Sequence, residues 1–188
     1  MRVFKALGLA IALVAAMFAV SSTTAGAAGG GFSCSGAGGQ VTSTPGLLLK
    51  VSLPQHIHAS QGNLACTGGA VTGGRVSVDV SSPDVRCAGM IGTTSRGTAK
   101  ATWSTPSHMG ISTFKLNLKV TATTGHTTTG TISGSVTQTG SALASGKAVV
   151  GSFTLNKGLN STANGGDCSI NSPLTTFGIT ALAFHTVG

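Results

Sequence analysis

The stretch Ile111–Ala122, ISTFKLNLKVTA, decides the fold. Phe114, Leu116, Leu118 and Val120 alternate with Lys115, Asn117, Lys119 and Thr121, an apolar period of two. Successive side chains of an extended chain point to opposite faces, so this set falls on one side of a strand. The stretch therefore predicts a strand with one packed and one wet face. Val76, Val78 and Val80 alternate likewise with Ser77 and Asp79 in Arg75–Val80, and Ala99, Ala101 and Trp103 with Lys100 and Thr102. Ile132 and Val136 mark the inner face of a strand over Thr128–Thr139. Val149, Phe153 and Leu155 do the same for Lys147–Leu155, and Gly140–Gly146 joins the two. Leu47–Leu53 and Thr175–Phe184 complete the set. The last is apolar on both faces (Phe177, Ile179, Leu182, Phe184), which predicts a central or covered strand. No part of the chain after residue 27 repeats every 3.6 residues. Short strands between Gly-rich turns predict an all-β fold, an antiparallel β-sandwich or partly closed β-barrel, with two disulfides.

Composition supports this outward from the strands. The 188 residues include 29 glycines, one tryptophan, no tyrosine and only three acidic residues. Abundant Thr and Val suit a pleated surface and exclude a helix bundle or coiled coil. Residues 1–27 read as an export signal: Arg2 and Lys5, an apolar run from Ala6 to Val20, then Ala25-Gly26-Ala27 as a small-x-small cleavage site. The run is too short for a mature transmembrane anchor. Residues 28–40 read as a Gly/Ser-rich lead-in and 41–188 as a single β domain. The expected location is secreted, extracellular or associated with the envelope.

Export assigns the cysteines to an oxidising compartment, where Cys34, Cys66, Cys87 and Cys168 form two disulfides. Three pairings are open. Cys66–Cys87, closing a local strand pair, and Cys34–Cys168, tying the domain ends, are preferred. No C-x-x-C spacing favours a metal. Beyond the signal, nine basic residues from Lys50 to Lys157 face Asp79, Asp84 and Asp167, and they form no run along the sequence. Such a surface favours anionic surroundings such as acidic wall polymer. It is no nucleic-acid footprint, since basic runs and stacking aromatics are lacking.

Few residues carry chemistry. His56-Ile57-His58 places two imidazoles on one side of an extended segment, but a pair leaves a metal shell incomplete. His108, His126 or His185 would have to complete it, and two exposed loop histidines after Pro54 are the expected outcome. No G-x-S-x-G elbow marks a nucleophilic serine, and three aspartates are too few for paired-carboxylate work. No catalytic residue, metal or cofactor is assigned. Trp103 is expected as a core anchor, with contact to a ligand as its functional alternative. Lys100, Lys115 and Lys119 belong on outer faces, where they would touch an anionic polymer. The T-x-T spacing of Thr127, Thr129 and Thr131 is expected to be an exposed, Thr-rich edge rather than an ice-binding face.

In order along the chain, Phe32-Ser33-Cys34, Thr44-Pro45-Gly46-Leu47, Cys66, Cys87, Gly97–Ser104, Gly130–Gly134, Gly151-Ser152-Phe153, Asp167-Cys168 and Ser172-Pro173-Leu174 resemble a family of secreted actinobacterial proteins of uncharacterised function. Ser104-Thr105-Pro106 departs from it, replacing a glycine expected soon after the tryptophan. The resemblance implies an exported β domain and transfers no catalytic residue. In composition alone the chain also resembles enediyne-carrier apoproteins of the neocarzinostatin type. The function expected is a secreted, non-enzymatic β module of the extracellular space or envelope, binding or structural, with anionic wall polymer as partner. The alternative is a carrier of small lipophilic molecules with an apolar cleft near Trp103.

Overall fold

A computed structural model describes residues 31–69, 71–105, 109–124, 127–140, 146–156 and 173–187. The export signal, Cys168, Asp167, Lys157, His108, His126, Pro106 and Ser172 lie outside the described residues. Alternation becomes nine strands: β1 (Ser33–Gly36), β2 (Gly39–Leu47), β3 (Leu53–Thr67), β4 (Gly73–Val85), β5 (Thr94–Ser104), β6 (Met109–Thr123), β7 (Thr128–Gly140), β8 (Ala148–Leu155) and β9 (Leu174–Val187). A single 3-10 turn, Cys87–Gly89, is the one helical element among the described residues.

Every pairing is antiparallel, and each of β3 to β8 pairs with the next strand in sequence. β1 and β2 act as one strand broken at Ala37-Gly38, because both pair with β3 on one side and β9 on the other. That double pairing shuts the sheet. The expected sandwich or partly closed barrel is corrected to a closed, eight-strand up-and-down barrel with β1 as an extra short strand.

The lumen takes the alternating apolar sets. One end is filled by rings: Trp103, wholly buried, packs edge-on to Phe32 and Phe114 at centroid distances of 5.1 and 6.3 Å, with Phe184 tilted at 6.3 Å. Edge-to-face pairs of this kind contribute about 0.5–1.5 kcal/mol each beyond their burial. β9 explains its own two-faced pattern. The register slips between Thr154 and Leu155 opposite Ala181 and Ile179, so Phe177 and Ile179 face inward before the slip and Leu182 and Phe184 after it. A bulge reconciles both parities with one buried face.

Three expectations are corrected in the first third of the chain. Leu47–Leu53 is no strand: β2 ends at Leu47, β3 starts at Leu53, and the Leu48 and Leu49 carbonyls accept from Cys87 and Ala88 N–H in another connection. His56-Ile57-His58 lies inside the 15-residue β3 rather than in a loop. The lead-in 28–40 contains β1 and the start of β2, held by a disulfide.

Both preferred cysteine pairings fail. Cys34 and Cys66 stand opposite each other in β1 and β3 and are bridged, Cα to Cα 4.1 Å. Cys66 sits just before the β3–β4 turn, whereas Cys87 follows the far end of the 13-residue β4, so those two cannot meet. The described residues thus hold one complete disulfide instead of two. Cys87 is itself disulfide-bonded, to a partner outside the described residues.

Candidate functional site

Beyond the ring-filled end, the barrel axis is not reached by any side chain large enough to close it. Ile57 and Ala59 on β3, Val76 and Val78 on β4, Leu118 on β6 and Phe153 on β8 point inward yet are only half-buried, because they border a cavity. Its volume is about 110 Å³ and its wall is almost wholly aliphatic, with Phe153 and Phe177 as the aromatic members. Leaving such a space empty costs a fold about 2–3 kcal/mol.

The connection between β4 and β5 spans the mouth. Cys87 and Ala88 N–H donate to the Leu48 and Leu49 carbonyls just past β2, while Gly92 N–H donates to the Val120 carbonyl on β6 and Val120 N–H to Thr93. β2 and β6 lie on opposite sides of the ring. Met90 hangs from this connection into the cavity wall, and Thr93 Oγ1 holds the turn by donating to the Met90 carbonyl at 2.7 Å. Unbranched and polarisable, methionine adapts to irregular apolar space.

The polar residues of the wall are few: Ser60, Gln61, Thr93 and Ser95. Gln61 is buried. Its Nε2 donates to the Ala37 carbonyl at 2.7 Å and the Asn63 carbonyl at 3.3 Å, which fixes the amide and explains why β1 and β2 break there. Oε1 then stands without a partner. It lies over Gly39, beside Ile179 Cδ1, in the space a Cβ on Gly39 would take. A buried acceptor left unpaired costs about 1–3 kcal/mol. Gln55, the other buried amide, is satisfied: its Oε1 accepts from Ser43 Oγ and Gly46 N–H, and its Nε2 donates to the Gly46 carbonyl.

Trp103 is not on the cavity wall. Its Nε1 donates to Ser112 Oγ at 3.0 Å, at the other end of the lumen. Position on the inner face was legible, but the ring belongs to the packed end. Lys100, Lys115 and Lys119 are exposed on the outer faces of β5 and β6, as expected.

The histidine pair gains a carboxylate that the sequence order hides. Asp79 stands opposite His58 in the β3–β4 ladder, with Oδ1 2.8 Å from His58 Nδ1 and 4.0 Å from His56 Nε2. Ser81 Oγ is 3.5 Å from His56 Nδ1. These side chains sit on the open outer wall, and the carboxylate is committed to His58. A serine nucleophile needs its base within about 2.6–3.2 Å, which this arrangement lacks. Among the described residues no group of three His, Cys, Asp or Glu is arranged to hold a metal ion.

Comparison with protein-family models, curated proteins and solved structures finds no match. The cavity and the outer wall are therefore read from their own chemistry. Neither was separable in the sequence, because Gln61 and Ser95 look like ordinary polar residues until the barrel closes around them.

Proposed function

We propose that this chain is a secreted, non-enzymatic binding barrel that carries a small, mainly apolar molecule in its lumen. The observation that carries this reading is the aliphatic cavity inside a closed ring of eight strands, the size of barrel that either fills with side chains or holds one small ligand. Cavities of comparable volume and lining stay dry and accept one-ring hydrocarbons. The space suits ~six non-hydrogen atoms. At a ceiling of about 1.5 kcal/mol for each, binding no tighter than sub-micromolar follows.

Titration calorimetry of the mature chain with toluene and with phenol tests the reading. Saturable one-site binding is expected for both, and Ala59→Phe, which fills the cavity from β3, should abolish it. No detectable heat up to the solubility limit, or unchanged binding by Ala59→Phe, overturns it.

A second reading, attachment to an anionic component of the envelope, is favoured by the placement of cations on the outer wall of β4, β5 and β6. Lys100, Lys115 and Lys119 belong to that surface. Retention on purified cell wall at low salt tests it, and free passage through the wall fraction would defeat it.

A further inference from the structure

We infer that the outer wall of β4–β6 binds a linear phosphodiester polymer through Arg75, Lys100, Lys115, Arg96 and Lys119. This rests on the envelope reading and is independent of the lumen.

Strand register assembles these five from scattered positions. Arg75 faces Thr102, one outward step from Lys100; Lys100 faces Thr113, one outward step from Lys115. Lys115 faces Thr98, which lies between Lys100 and Arg96, and Arg96 faces Asn117, which lies between Lys115 and Lys119. Each cation is thus the diagonal neighbour of the next, about 7–8 Å away. All five are exposed. The outward positions among them are Ser77, Thr98, Thr102, Thr113 and Asn117, small polar groups suited to bridging oxygens.

The stripe carries a large excess of positive charge. One carboxylate on this wall, Asp79, stands opposite Thr98 as the diagonal neighbour of Lys100 and Arg96 and is hydrogen-bonded to His58, so five cations meet a single acidic group. Asp84 lies beyond the last paired row of β4 and β5, Ser81 opposite Arg96. None of these five cations forms an ion pair with a carboxylate among the described residues. Like charges about 7–8 Å apart repel each other, so an anionic partner relieves that repulsion.

Shape selects the partner. The stripe zigzags between β5 and β6 along the strand direction, with Arg75 on β4 at one end, over a convex wall that fits a thread better than a flat lipid surface. At its Arg75 end it enters a surface groove of about 510 Å³, bordered by Asn63, Gly73, Gly74, Thr102 and Met109. A polymer with six backbone bonds between phosphates repeats every ~7 Å when extended, the length of two extended residues. That matches the spacing of the cations.

Fluorescence anisotropy of labelled poly(glycerol phosphate) with the mature chain provides the test. Affinity should fall at least tenfold as salt rises from about 0.01 to about 0.15 M and the Debye length shrinks from about 30 to about 8 Å. Lys100→Gln combined with Lys115→Gln should weaken binding about five- to tenfold at the lower salt. Lys50→Gln, an exposed lysine between β2 and β3, should leave it within about twofold. An unchanged near-ultraviolet spectrum of Trp103 shows that each variant is folded. Parent-like binding by the double variant, or an equal loss in Lys50→Gln, overturns this face while leaving envelope attachment standing. Absence of binding by the parent sinks both. Equally tight binding to anionic phospholipid vesicles overturns the polymer in favour of a membrane surface.

Discussion

Trp103 on β5 and Ser112 on β6 are joined by an Nε1–H···Oγ hydrogen bond of 3.0 Å inside the barrel, with both side chains buried. The indole N–H has no other acceptor to turn to, because Phe32, Phe114 and Phe184 surround the ring. Ser112→Ala should therefore cost about 1–3 kcal/mol, the penalty of a buried donor left unpaired. Urea unfolding followed by the fluorescence of this single tryptophan measures it, and a loss below a few tenths of a kcal/mol would show that the bond contributes nothing.

The bridge between Cys34 and Cys66 closes a loop with a sequence separation of 32. Replacing both cysteines by alanine should lower stability by roughly 3–4 kcal/mol on the chain-entropy account. A non-reducing digest should yield one peptide pair linking Cys34 to Cys66. Recovery of Cys34 linked elsewhere would refute the register of β1 on β3.

Gly130 lies under the ring of Phe153, and a Cβ there would meet both Phe153 Cζ and the Lys119 carbonyl. Gly130→Ala should cost about 1–3 kcal/mol by overpacking and displace Phe153, a cavity-wall residue. Thermal melts with and without toluene separate the two effects: a lower midpoint together with a smaller ligand-induced rise is expected.

Gln61 should hold the break between β1 and β2, since its Nε2 donates to the Ala37 and Asn63 carbonyls. Gln61→Met removes both bonds and should cost about 1–3 kcal/mol, read as a lower urea midpoint. An unchanged midpoint would mean that the amide contributes nothing to the junction.

Strands with a clean two-residue period were legible, because each needs only its own alternation: Phe114 to Val120 lie as expected, four inward side chains in a row on β6. Where a strand contains a break, the sequence misleads. The apolar run at Leu47–Leu53 resembles a strand but spans a chain reversal, and β9 looks apolar on both faces because a bulge changes its parity. Long-range partners were out of reach for a different reason. Cys34 with Cys66, His58 with Asp79 and Lys100 with Lys115 meet only through register, which depends on how every intervening turn is built. The cavity was illegible for a third reason, since it arises from side chains that stop short of the axis.

Closure of the ring has a consequence for self-association. Each described strand has hydrogen-bonded neighbours on both flanks, including β9, which returns to β1 and β2. A Thr- and Val-rich polypeptide of this kind would otherwise offer a free rim on which other chains extend into aggregates. With no such rim, any self-assembly has to proceed through side chains alone, and crowding at high concentration should leave the protein dispersed.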